Sequence, residues 1–255
     1  MAPVVTRAVL LRGYDYGDSS RILRFYTDQH GLLSVVARGV RGRSGKGAAT
    51  VSTFASGELT AYVNPQRDLH TMKDFACTCA RDRLGGHVLR FAGAAAAAEL
   101  VLVHAEQERH ESLFDALETA LDGLVSADPA DLPATTLAAL WSITEAFGFA
   151  PQLGACVRCG TTLGAEEIGR FDFAAGGVRC GDCGAGAAGP RLGPVARAQV
   201  EQLVRGGVPV GLTHARRHLA LVSDFVAYHV ASKPLKSLRF LGGLLPPDEI
   251  EAPVV

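Results

Sequence analysis

From Val4 to Ala76 the apolar residues come in short runs, many alternating with polar ones, and Gly, Asp, Asn and Pro break the runs apart. A period of two over short runs marks strands, because successive side chains of a pleated chain point to opposite faces. The pattern predicts five strands, at 5–12, 21–27, 32–40, 52–63 and 69–75. The segments DQHG at 28–31 and NPQRD at 64–68 carry hairpin chemistry between them. Five strands in about 75 residues suit a small closed barrel, for which the OB-fold is the natural candidate.

After Arg81 the period changes to that of a helix. Leu113, Phe114, Leu117, Leu121 and Leu124 fall on one face, as do Leu137, Leu140, Trp141 and Phe147. Helical spacing returns at 195–205, where Val200, Leu203 and Val204 align before Gly206 and Gly207, and at 214–232, where Val222, Phe225, Val226 and His229 align. The most apolar run, Phe91 to Val103, holds Glu99 and is shorter than the roughly 20 residues of a membrane span. It reads as a buried helix, and its alanines at 94–98 let a neighbour approach closely. The expected class is α+β: an N-terminal five-stranded OB-fold barrel (1–80), an α-helical domain (81–151 and 190–245) with an inserted four-cysteine zinc ribbon (152–189), and a flexible tail (246–255).

At the N-terminus, Arg7 interrupts the apolar stretch from Val4 to Leu11 and Arg12 ends it, so no export signal is expected and the protein is placed in the cytoplasm, without membrane attachment. The formal net charge is only −1, but it is unevenly spread. Residues 1–90 carry 13 Lys and Arg against 7 acids, and the remainder carries 12 against 19. A basic front on an acidic body can hold a polyanion locally while the whole molecule stays near neutral; a chance gradient is the bland alternative. Between the third and fourth predicted strands, RGRSGKGAAT at 41–50 mixes Gly, Ser and cations without an apolar anchor, as expected of a loop that follows phosphates or is merely solvated.

The strongest local signal is Cys156-x2-Cys159 and, after twenty residues, Cys180-x2-Cys183. Two such knuckles complete the tetrahedral thiolate shell that Zn²⁺ prefers; paired disulfides are the rival, disfavoured where thiols stay reduced. A catalytic zinc keeps a coordination position open, so four thiolates imply one structural ion. Cys77 and Cys79 are spaced too closely for a knuckle and are expected to be buried free thiols. Enzyme signatures fail. GVRGRSGKG at 39–47 has the wrong glycine spacing for a phosphate loop and lacks the Ser or Thr after Lys46; the eight His form no HExxH, and no GxSxG is present. His214 and His218 have the spacing of a helix-surface pair.

Taken in order, DSSRILRFYTDQHGLLSVVARGV at 18–40, FGFAPQLGACVRCG at 147–160 and LKSLRFL at 235–241 resemble the RecO family of recombination mediators, and the likeness spans nearly the whole chain. The resemblance implies a non-catalytic, nucleoid-associated protein. It would bind single- and double-stranded DNA, anneal complementary strands and, with RecR, load recombinase on strands coated by single-stranded-DNA-binding protein. The C-terminal heptamer departs from the family's pattern, since Leu238 stands where a basic residue usually follows Leu-Lys-Ser directly. Family members without the full cysteine set imply that the zinc is scaffold.

Annealing needs charge placement rather than covalent chemistry: bound cations release condensed counterions and lower the repulsion between strands. Arg21, Arg24, Arg38, Arg41, Arg43 and Lys46 are the expected phosphate contacts, with either Phe25 or Tyr26 as a stacking residue, since strand alternation turns the two to opposite faces. Lys233, Lys236 and Arg239 are placed to rim a groove for the acidic, hydrophobic-ended tail of single-stranded-DNA-binding protein, or else lie in a solvated stretch. The alternatives are a zinc-dependent nuclease, which needs a carboxylate cluster, and a zinc-ribbon transcription regulator, which needs a basic ribbon.

Overall fold

The structure is a computed structural model and describes residues 2–39, 52–64, 66–105, 109–230 and 234–247. Five strands, β1 (Val4–Tyr16), β2 (Ser20–Thr27), β3 (Gly31–Ala37), β4 (Ser56–Tyr62) and β5 (Leu69–Cys79), close into a barrel in the order β1-β2-β3-β5-β4. Every pairing is antiparallel except β3 with β5, which is the OB-fold arrangement the alternation predicts. β5 is longer than expected and carries Cys77 and Cys79 on its last turns of pleat, where both thiols are exposed. The expectation that they are buried is therefore wrong: the strand runs on past the point where its apolar alternation stops.

The barrel interior is filled by Ala8, Leu10, Leu23, Phe25, Val35, Ala37, Leu59, Ala61 and Phe75. A bulge at Leu11 sets the register of β1, since Leu10 pairs with Phe25 but Arg12 pairs with the next residue back, Arg24. A bulge lets two neighbouring residues change face together. Leu11 turns out toward the helices and Arg12, which strict alternation would send into the barrel, emerges exposed.

Among the described residues seven helices follow a 3₁₀ turn at Asp82–Leu84: α1 (Val88–His104), α2 (Glu111–Ser126), α3 (Leu132–Ala146), α4 (Gly181–Gly184), α5 (Pro194–Val204), α6 (Ala215–His229) and α7 (Lys236–Leu244). The predicted apolar stripes of α2, α3, α5 and α6 are buried together in one large core. Gly93 lets α1 meet α3 closely, since a Cβ there would lie 2.8 Å from Thr136 Oγ1. The run Phe91–Val103 is helical as expected but not wholly buried: Phe91 and Val103 stand exposed on the outer side of α1. Helix α7 was not evident from sequence, because Gly242 and Gly243 break the pattern of its second half.

The large core also takes in the outer face of the barrel through Val9, Leu11, Tyr26, Leu32 and Phe54. Tyr26 stacks on Phe114 of α2 with ring centroids 6.4 Å apart, while Phe25 meets Phe75 inside the barrel at 5.0 Å. The two residues do point to opposite faces, but both faces are covered there, so neither is free to stack on a base. Two arginines, Arg81 and Arg7, lock the joint, and a third, Arg90, ties α1 to the end of α2. Arg81, in a left-handed backbone conformation (φ 53), reaches Asp122, Glu118, Ser56 Oγ and the Phe54 carbonyl. Arg90 donates to the carbonyls of Leu124, Val125 and Ala127 at the end of α2, and Arg7 pairs with Asp28 and Asp115 beneath the Phe114 ring.

Between α3 and α5 three short strands, β6 (Gly169–Asp172), β7 (Gly177–Arg179) and β8 (Arg191–Leu192), form a sheet in the order β7-β6-β8. Its apolar side packs on the helices: Phe171 lies 6.0 Å from Phe225 of α6, which lies 5.3 Å from Trp141 of α3. Among the described residues no helix is long and apolar enough to cross a membrane.

Candidate functional site

Two places concentrate chemistry. In the first, the Sγ atoms of Cys156, Cys159, Cys180 and Cys183 all lie within 4.8 Å of one another, and Cys159 and Cys180 are 3.8 Å apart. Bonds of about 2.3 Å to a tetrahedral ion would space four sulfurs by about 3.8 Å, so the cluster has the dimensions of a tetrathiolate shell. Local backbone chemistry builds it. The chain turns back after Cys159 through Gly160 (φ 75), whose N–H donates to the Cys156 carbonyl, and α4 starts at Cys180, so that the Cys183 N–H approaches the Cys180 sulfur at 3.5 Å.

Burial works against ionising Cys156, but surrounding backbone N–H groups outweigh it and its pKa falls; Cys183 is pushed up, first by Cys180 and then by Cys159. Four thiolates packed this closely repel one another, so a cation between them is what lets all four ionise. Glu167 braces the centre by accepting from the Gly164 and Gly181 N–H groups, which lower its pKa, and Arg197 of α5 donates to the carbonyls of Gly164, Ala165 and Glu167. Among the described residues this is the one cluster of three or more His, Cys, Asp or Glu able to hold a metal ion.

The second place is the part of the barrel's outer face that the helices leave uncovered. Residues paired across a ladder share a face, so the pairs Arg12–Arg24, Tyr14–Ile22, Arg24–Ser34 and Ile22–Val36 form one surface across β1, β2 and β3. Arg38 is exposed just beyond β3. The Arg12 guanidinium lies 5.1 Å from the centroid of the Tyr14 ring, and Tyr14 and Tyr16 are both exposed.

Of the predicted cations, Arg24 and Arg38 therefore belong to this face, while Arg21, which pairs with Ala37 and Asp15, falls on the opposite, interior side at the mouth of the barrel. Arg21 stacks over Gly13, where a Cβ would meet its Nη2 at 2.8 Å, and lies 3.6 Å from Asp15. Arg41, Arg43, Lys46 and Lys233 lie outside the described residues. Arg12, Tyr14 and Tyr16 escaped the sequence reading, although their i, i+2, i+4 spacing in LRGYDY was the available signal. Other cations are engaged elsewhere: beside Arg7, Arg81 and Arg90, Arg170 donates to the Gly189 carbonyl and Arg179 pairs with Asp172 inside the small sheet.

The family model for the N terminal of recombination protein O matches residues 1–78, and that for its C terminal matches residues 87–239. The chain belongs to the RecO family. It is 34% identical to the DNA repair protein RecO of Anaeromyxobacter dehalogenans (strain 2CP-C), over 96% of this chain and 98% of that protein. It is 31% identical to that of Anaeromyxobacter sp. (strain Fw109-5), over 91% and 93%, and 29% identical to that of Desulfatibacillum aliphaticivorans, over 96% and 98%. The RecO N-terminal match ends on β5, and the C-terminal match opens one residue before α1 and encloses the four cysteines, so the two matches correspond to barrel and to helices with their four-cysteine cluster.

Proposed function

We propose that this RecO-family chain is a non-catalytic DNA-repair mediator that binds single- and double-stranded DNA on the open barrel face and anneals complementary strands there. The observation that carries the reading is the juxtaposition of Arg12, Arg24 and Arg38 with the exposed rings of Tyr14 and Tyr16 on one surface. Guanidinium groups neutralise phosphates and release counterions, and exposed rings offer sequence-tolerant platforms for bases. Arg21, at the rim, and the loop cations Arg41, Arg43 and Lys46 extend that contact in this reading. The division of labour follows the expected boundaries, with residues 1–80 binding DNA and the remainder holding the ribbon at 152–189 and the partner sites.

The metal in this reading is one Zn²⁺ ion held by Cys156, Cys159, Cys180 and Cys183. Four thiolates leave no coordination position for water, so the ion fixes the small sheet against α5 and α6 and takes no part in chemistry. The partners are RecR and the acidic, hydrophobic-ended tail of single-stranded-DNA-binding protein, and the setting is the nucleoid in the cytoplasm. A groove of about 430 Å³ between α6 and α7, floored by Leu219, Val226, Leu235 and Leu238 and flanked by Arg216 and Arg239, supports the tail as occupant.

Annealing of two complementary labelled oligonucleotides, followed by energy transfer without nucleotide or divalent ion, tests the proposal beside a nuclease assay on the same strands. Accelerated annealing with intact strands is expected. Metal-dependent cleavage, or annealing no faster than the spontaneous rate, would sink it.

A further inference from the structure

Arg12 belongs to two surfaces at once. On one side it joins the open barrel face; on the other it forms a wall of a separate cleft of about 400 Å³ between β1, α1 and α7. The cleft's apolar lining includes Leu11, Phe54, Phe91 and Leu102, and its far wall carries Lys236 and Ser237. Phe91 is 46% exposed, and Phe54 props its ring edge-on at a centroid distance of 5.5 Å. Phe54 does so from a left-handed backbone conformation (φ 73), uncommon for a bulky residue and held here by backbone hydrogen bonds to Leu10 and to the Arg81 side chain.

The charge pattern is selective. Two exposed cations, Arg12 from β1 and Lys236 from α7, line the cleft. The one acid of the lining, Glu99, is engaged: its carboxylate accepts from the N–H groups of Lys236 and Ser237 and from the Ser237 hydroxyl, capping the start of α7. The mouth is thus cationic while the floor is aromatic and aliphatic. Duplex bases, already paired and stacked, have no face to offer such a floor.

We infer that this cleft takes one unstacked base of a single DNA strand leaving the barrel face, with the flanking phosphates held between Arg12 and Lys236 and the base set against Phe91. The inference rests on the DNA-binding reading of the barrel and extends it, because it makes the seam between barrel and helices a selector for single strands. Because Arg12 belongs both to the barrel face and to the cleft, the cleft continues the barrel surface.

The test uses full-length protein with Phe91→Leu, which keeps aliphatic contact with Phe54 while removing the ring face, and Lys236→Gln, with Arg24→Thr as the barrel control. Binding of a single strand carrying one 2-aminopurine, and of the matching duplex, is followed by fluorescence across a salt series. Phe91→Leu is expected to weaken single-strand binding about tenfold and to leave the duplex unchanged. Lys236→Gln should lower the single-strand salt slope by about 0.7. Phe91→Trp, which keeps a ring, should bind like the parent. If Phe91→Leu binds single strands as the parent does while Arg24→Thr is weakened, the cleft is excluded and the barrel reading survives. If Arg24→Thr and the parent bind alike, the barrel reading itself fails and the cleft falls with it.

Discussion

Arg24 stands directly across the β1–β2 ladder from Arg12, two guanidinium groups on one face of the barrel. Like charges placed opposite each other destabilise a sheet by some tenths of a kcal/mol. Arg24 Nε is, in addition, shielded from solvent without a hydrogen-bond partner among the described residues. A polyanion laid over the pair offsets the like-charge cost. Arg24→Thr, a good strand former, is therefore expected to raise Tm by about 1–2 °C while weakening DNA binding and lowering the duplex salt slope by about 0.9. Calorimetry and titration at several salt concentrations read the two effects, and a variant that is both less stable and equally tight would contradict the assignment.

Arg81 joins barrel to helices through a buried guanidinium that touches Phe54, Ser56, Glu118 and Asp122. Asp122 and Glu118 keep partial contact with water, so removing the arginine leaves them less stranded than fully buried acids would be. Arg81→Gln is expected to cost about 2–4 kcal/mol, with Tm falling by roughly 10 °C. Arg81→Lys should recover only part, because an ammonium cannot reproduce the fork that serves carbonyl, hydroxyl and carboxylates together. Urea unfolding measures both, and equal midpoints for the parent and Arg81→Gln would show that the joint rests on the apolar contacts alone.

The two variants mark what the sequence disclosed and what it withheld. Strand alternation revealed the barrel, and helical spacing revealed α2, α3, α5 and α6, because both patterns follow from which face is buried. Cysteine spacing revealed the four-sulfur cluster, because two knuckles need only local geometry. Arg12 was hidden because a bulge is invisible in a period of two, and Phe25 and Tyr26 misled because alternation tells which residues oppose each other but not whether another element covers the outer face. The uneven charge was legible, but Arg7, Arg81 and Arg90 count equally with Arg24 in a sum, and only packing separates a cation that braces the joint from one that meets a ligand.

Withdrawal of the metal has a built-in reporter. Trp141 is the sole tryptophan, is fully buried, and touches Phe225, which touches Phe171 of the small sheet. If one zinc ion holds the four thiolates, treatment with a thiol-modifying reagent should release one equivalent to a colorimetric chelator, and the Trp141 emission should shift to the red as the sheet loosens. Cys180→Ala should give the same shift without reagent and lower Tm by at least about 10 °C, since binding energy at such sites is folding energy. Release of zinc with unchanged emission would separate the ion from the core.

Acid should weaken the barrel through His70. Its ring is buried on β5 beside the β3 pairing, and Nδ1 accepts the Asn64 N–H at 3.3 Å, so the neutral form is the one the fold holds. Burial lowers its pKa from 6.5, Asp68 opposes that shift and His30 adds to it. The unfolded chain therefore takes up the proton first, and the stability tied to neutral His70 is full above pH 6.5 and drains away as pH falls from there through the lowered folded value. His70→Gln removes the titration and should flatten the fall of Tm between about pH 7 and about pH 5. Parallel curves for parent and variant would place the acid sensitivity elsewhere.

The groove between α6 and α7 makes a partner prediction independent of DNA. Arg216 donates to the Leu245 carbonyl and so helps hold the end of α7 in place, whereas Arg239 is exposed on the rim. Arg239 is thus the cleaner probe, because changing it leaves that bond intact. A reversed rim charge acts mainly on the encounter rate with an acidic ligand. Arg239→Glu is expected to weaken binding of an acidic, hydrophobic-ended peptide about three- to tenfold in fluorescence anisotropy, with the loss growing at low salt, and to leave binding of a DNA duplex unaltered. A peptide shorn of its terminal apolar residues should bind the parent more weakly still, since the floor of Leu219, Val226, Leu235 and Leu238 has nothing else to bury. Equal affinities for parent and Arg239→Glu would move the tail to another surface of the molecule.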